Sequence, residues 1–132
     1  MNKRRIGAKY EEMAARYLHS CGLKIIEQNF RCKTGEVDLI ALDGKYTVFI
    51  EVKYRTGTRS GAPEDAVDFR KQQTICRVCD VYRRTRHLSE DTPIRFDVLA
   101  ILVDAADGED LILDDTKIRW HKDAFPYIYT RN

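Results

Sequence analysis

The chain has 132 residues, 33% charged and 43% hydrophobic, the balance of an ordinary soluble globular protein and of one domain, 1–132, that buries its core without staples. No apolar run approaches the about 20 residues of a membrane helix, which argues against a membrane partner. The basic start, Met1 to Arg5, lacks the apolar stretch of a signal peptide, so a cytoplasmic protein is expected.

Net charge is only +2, but Asp104 to Asp115 holds six acids and no base. Without that stretch 23 bases face 15 acids, or +8, and such a body could hold a polyanion on one face. A plainly solvated surface explains the same charges. Cysteines stand at 21, 32, 76 and 79. Cys76 and Cys79 form a C-x-x-C, but no second pair or closely spaced histidines complete a zinc site, which favours packed, reduced thiols.

In chain order, Ile6, Tyr10, Met13, Ala14, Tyr17, Leu18 and Cys21 recur at helical spacing, with Gly22 as a C-cap. Leu23 to Phe30 reads as a strand and Lys33-Thr34-Gly35 as a turn. Glu36 to Leu42 and Lys45 to Arg55 read as two strands joined at Asp43-Gly44, a two-residue hairpin signal. Thr56 to Pro63 is a polar, glycine-containing loop. Glu64 to about His87 reads as a second helix with Ile75, Val78, Cys79 and Tyr82 inward. Ile94 to Val103 is a strand, Asp104 to Asp110 an acidic turn region, and Leu111 to Trp120 contributes a short strand or two. The aromatic tail, with Phe125, Tyr127 and Tyr129, docks on the body. The order α-β-β-β-α-β implies an α/β fold, a central mixed β-sheet flanked by α-helices.

The chemistry concentrates in Gly35 to Ala41 and Phe49 to Lys53. A loop at Asp43-Gly44 pairs Leu42 with Lys45, Asp38 with Phe49 and Glu36 with Glu51. Glu36, Asp38, Glu51 and Lys53 then project from one side, and Val37, Leu39, Ile50 and Val52 from the other. Asp38 and Glu51 become diagonal neighbours about 7–8 Å apart, able to reach one cation between them. Grouped acids on a sheet are costly unless compensated, and Mg²⁺ is satisfied by one or two carboxylates plus water and phosphate oxygens. Lys53 beside them could orient a water or stabilise the transition state of phosphodiester hydrolysis. The plain alternative is an edge strand with solvated acids and a Glu51–Lys53 ion pair.

Glu11 falls at the edge of the first helix's apolar stripe, with Glu12 toward solvent and Gly7 one turn earlier permitting close approach. It could complete a metal site or be an ordinary boundary glutamate. Lys71 and Gln72 fall on the inward stripe of the second helix, where they could contact a phosphate, hold Lys53, or simply snorkel. Arg55 and Arg59 flank the presumed site as candidate phosphate contacts, and Arg77, Arg83, Arg84 and Arg86 make the second helix basic. Asp97 interrupts an apolar strand and is expected in a structural ion pair with a lysine or arginine rather than in catalysis.

These residues carry a resemblance. Gly7-x-x-x-Glu11, Gly35 to Ile40, Phe49 to Lys53 with Arg55, Lys71-Gln72, Arg95 to Val98 and Ala124-Phe125 together resemble the YraN family of small bacterial proteins, assigned to the restriction-endonuclease-like (PD-(D/E)xK) superfamily. The placement of a helical glutamate, an aspartate and an E-x-K is also similar to archaeal Holliday-junction resolvases. Val37 stands where that superfamily has a proline. Gln72 is a candidate orienting residue. The resemblance implies Asp38 and Glu51 as ligands of Mg²⁺ or Mn²⁺, Lys53 as the catalytic lysine and Glu11 as an accessory ligand. It implies a nuclease acting on structured or branched DNA; dimeric resolvases add a homodimer by analogy. A nucleic-acid-binding module without turnover and a protein–protein adaptor are the other readings.

Overall fold

The computed structural model describes residues 3–56, 67–103 and 117–128. Arg59, the start expected for the second helix at Glu64, the acidic segment 104–115 and Tyr129 lie outside the described residues.

Helix α1 spans Lys3–Ser20. It stops at Gly22, whose φ of +98° suits glycine. There the Leu23 N–H reaches the Leu18 carbonyl and the Gly22 N–H the His19 carbonyl, both at 3.0 Å, closing the last turn. Strands β1 (Lys24–Cys32), β2 (Gly35–Asp43) and β3 (Tyr46–Thr56) follow as an antiparallel meander. Helix α2 (Phe69–Thr85) crosses over to β4 (Ile94–Val103), which runs parallel to β3, and β5 (Ile118–His121) pairs antiparallel with β4. The result is a five-stranded mixed sheet in the order β1-β2-β3-β4-β5, an α/β fold as the element order predicts. Among the described residues no helix is long and apolar enough to cross a membrane.

Two apolar cores form, one on each side of the sheet. Tyr10, Ala14 and Leu18 of α1 pack on Leu39, Val48, Ile50, Val52 and Leu99. Ile75, Val78, Cys79 and Tyr82 of α2 pack on Val37, Ile40, Phe49, Phe96 and Val98. Each fully buried side chain of this size stabilises the fold by about 1.5–3 kcal/mol relative to exposure. The tail docks here as expected: Phe125 stacks on Phe96 with centroids 5.2 Å apart, and the Tyr127 hydroxyl reaches Asp80. Cys76 and Cys79 are buried free thiols in this core.

The observed register corrects the expected one. Asp43 pairs with Tyr46 and Leu39 with Ile50, so the hairpin loop is Gly44-Lys45 rather than Asp43-Gly44. Gly44 holds φ +59° at the first central position, where a II′ turn needs glycine. Asp43 stays in the strand, held by Arg95 of β4 at 2.9 Å. The shift is even, so β3 keeps the faces expected of it.

Helix α2 also begins later than its periodicity suggests. Val67 and Asp68 stand outside the helix, and Asp68, with extended backbone, caps it by accepting the Lys71 N–H at 2.9 Å. Such a cap contributes about 1 kcal/mol. Asp97, 1% exposed, sits where Arg95 donates two bonds of 2.9 Å, with the Trp120 indole at 3.0 Å and the Asp123 N–H at 2.9 Å. The structural ion pair expected of Asp97 is present, and it ties β4 to β5 and to the following turn.

Candidate functional site

The β2–β3 ladder runs from Asp43–Tyr46 to Leu39–Ile50. Beyond it, β2 continues against β1 and β3 continues against β4. Asp38 stands at this fork. Its Oδ2 accepts the Val52 N–H at 2.8 Å, so a side chain takes over where the strands part. Continued register sets Asp38 opposite Glu51, closer than the diagonal relation expected.

Side-chain alternation reverses at the same place, which corrects the expected faces. Val37 joins the α2 core while Leu39 joins the α1 core, although they are two apart in the chain. Across the ladder, Phe30 pairs with Val37 and Gln28 with Leu39, leaving Asn29 beside Asp38. Asn29 has φ +55°, the left-handed conformation that asparagine tolerates better than most residues. Glu36 consequently leaves the company of Glu51 and Lys53. It pairs with Arg31 at 2.8 Å and, with Gly7, Ala8, Glu11, Asn29 and Arg31, lines an open cleft of about 510 Å³ against α1.

Glu11 meets Asp38 and Asn29 within hydrogen-bonding reach from this cleft. Gly7 does not serve close packing as expected: a Cβ there would meet nothing within 4 Å, and the glycine lines the cleft instead. On the α2 side Glu51 is 4% exposed, and its Oε2 receives Lys71 at 3.1 Å and Lys53 at 3.7 Å. Gln72 is placed differently from expectation. Its amide donates to the Val67 carbonyl at 3.2 Å and fastens the helix start. Arg55 is half-buried late in β3. Asn29 is the site residue that sequence reading missed; its only signal was a polar, turn-favouring residue inside an otherwise regular strand.

Three acids drawn together in partial burial cannot all ionise. Asp38 is pushed up to about 9, first by burial, then by the charge of Glu51 and a hydrogen bond to it, against the opposing Val52 N–H. It therefore holds a proton that an ordinary carboxyl would release, and its single O–H is directed to Glu51. Glu11 is also raised, chiefly by burial, although the Asp38 and Asn29 hydrogen bonds oppose this. Burial pulls Lys71 down, but the charge of Glu51 and its hydrogen bond outweigh that and raise it. One proton and two ammonium groups thus balance the acids. Among the described residues no three His, Cys, Asp or Glu side chains are grouped so as to hold a metal ion by themselves.

Residues 10–101, which include Glu11, Asn29, Asp38, Glu51, Lys53 and Lys71, match the model of the Uncharacterised protein family UPF0102. The chain belongs to the UPF0102 family. It is 46% identical over 101 residues to UPF0102 protein TTE1452 of Caldanaerobacter subterraneus subsp. tengcongensis, covering 76% of this chain and 82% of the relative. The UPF0102 protein of Caldicellulosiruptor bescii is 40% identical over 126 residues, covering 95% of this chain and all (100%) of that one. UPF0102 protein PBPRA3228 of Photobacterium profundum is 45% identical over 102 residues, 76% of this chain and 82% of that protein. The UPF0102 match takes in Glu36, Asp38, Glu51, Lys53 and Lys71, and Glu11 lies at its first helix.

Proposed function

We propose that this UPF0102 chain is a Mg²⁺- or Mn²⁺-dependent nuclease that hydrolyses phosphodiester bonds in structured or branched DNA. The observation that carries this reading is the facing of Asp38 and Glu51 at the fork, with ammonium groups beside them. The likeness of the same motifs to the restriction-endonuclease-like superfamily and to archaeal Holliday-junction resolvases supports the substrate class.

The donor set fits a hard divalent cation. Asp38 and Glu51 are the oxygen ligands it would use, and a dication would take over the compensation that one proton and two ammonium groups now provide. Two protein carboxylates suffice for Mg²⁺ when water and phosphate oxygens complete the shell. When bound, the ion would supply Lewis-acid polarisation of the scissile phosphate and a more acidic water. Lys53, tethered beside Glu51, is the residue to orient the attacking water and offset charge building on the phosphate. Glu11 steadies Asp38 through their hydrogen bond, and Arg55, Arg59 and Lys71 are the candidate contacts to flanking phosphates.

A second reading, a nucleic-acid-binding module without turnover, draws on one observation: the site already balances its charges with its own proton and lysines. The two separate in one experiment. Wild type and Glu51→Gln, both checked for folding by circular dichroism, are offered four-way junctions, forks, linear duplex and RNA with Mg²⁺ or Mn²⁺. Cleavage by wild type alone supports the nuclease. Salt-sensitive binding that ignores metal, without cleavage of any substrate, supports the module.

A further inference from the structure

We infer that Lys71 is a resident counter-cation of Glu51 that a divalent ion displaces, so that metal entry releases an ammonium toward the nucleic-acid backbone. The inference rests on reading Asp38 and Glu51 as metal ligands.

Two ammonium groups converge on one oxygen of a nearly inaccessible carboxylate, and Lys71 is the nearer, 3.1 Å against 3.7 Å for Lys53. A buried carboxylate requires such a partner while no other cation is present. The two lysines differ in how they are mounted. Lys53 shares the strand with Glu51, two residues away, and is held by the same backbone. Lys71 reaches across from the first turn of α2, where the Asp68 cap and the Gln72–Val67 bond fix the backbone; the two lysine side chains are similarly exposed, 33% for Lys71 and 28% for Lys53. A dication on Glu51 repels both, and Lys71, the nearer of the two and the one mounted on a separate element, loses the most by its arrival. Its ammonium would then stand at the rim of the site, facing a phosphodiester, and would strengthen backbone binding only when metal is bound. Metal and nucleic acid would thereby become linked ligands.

The test is calorimetric titration of Mn²⁺ into wild type, Lys71→Gln, Lys71→Arg and Glu51→Gln, with wild-type labelling as a second measurement. Lys71→Gln keeps a hydrogen-bond donor and loses the competing charge, so it should bind Mn²⁺ about tenfold more tightly than wild type. Lys71→Arg should stay near wild type. In wild type, Mn²⁺ should speed modification of Lys71 by an amine-reactive reagent, read by mass spectrometry. Equal or weaker binding by folded Lys71→Gln, or unchanged labelling of Lys71 when wild type binds Mn²⁺, overturns the inference and leaves the metal reading standing. Absence of Mn²⁺ binding to wild type, or binding that survives Glu51→Gln, removes the metal reading and the inference with it.

Discussion

Replacing Asp38 by asparagine should leave the protein folded and, above neutral pH, make it more stable than wild type. The protonated carboxyl accepts the Val52 N–H at one oxygen and donates from the other to Glu51, with Glu11 within hydrogen-bonding reach. A carboxamide has the same shape, the same acceptor and a permanent donor. With Asp38 at about 9 in the fold and an ordinary carboxyl at about 4 in the unfolded chain, only the folded state keeps the proton between those values. Its stabilising contribution is complete below about pH 4 and is lost progressively as pH rises toward 9. Asp38→Asn lacks this slope. Asp38→Ala differs, because it strands the Val52 N–H and should cost about 1–3 kcal/mol at neutral pH. Urea unfolding of the three proteins near pH 5, 7 and 9 measures all of this. If Asp38→Asn is destabilised as much as Asp38→Ala at pH 7, or if its advantage over wild type does not grow with pH, Asp38 is ionised in the fold and the shared-proton argument fails.

Asp97→Ala removes the acceptor of the Arg95 guanidinium, the Trp120 indole and the Asp123 N–H together, and should cost about 3–5 kcal/mol in chemical denaturation. A loss below about 1 kcal/mol would mean that β5 does not depend on this carboxylate. Gly35→Ala should cost about 1–3 kcal/mol, because a Cβ there lies 2.7 Å from Thr74 Cγ2 and the backbone holds φ +148°. Thr74→Ser in the same background should recover the steric part, and no recovery would place the whole cost in the backbone.

Much of the fold was legible before any coordinates because it rests on local rules. The 3.6-residue period of α1, the glycine closing it, and the apolar runs of β3 and β4 each express preferences of a few neighbouring residues. Glu51 and Lys53 were bound to share a face by strand alternation alone, and their ion pair follows. Asp97 announced its need for a partner by standing in an apolar strand.

The rest depended on contacts between distant segments. Asp43 stays in β2 because Arg95, some fifty residues later, pairs with it, and this moved the hairpin register by two. The alternation rule failed at Asp38, at the point where Asn29 on the neighbouring strand is left-handed and β2 parts from β3. That reversal sends Glu36 toward the α1 cleft while Glu51 and Lys53 remain with α2. The sequence by itself determined which residues are acids and lysines and which of them ride on strands. Only the tertiary structure decided that Asp38 sits in the gap between parting strands, within reach of one helix's glutamate and the other side's Glu51, because a carboxyl's protonation depends on the charges and burial that surround it rather than on its neighbours in the chain.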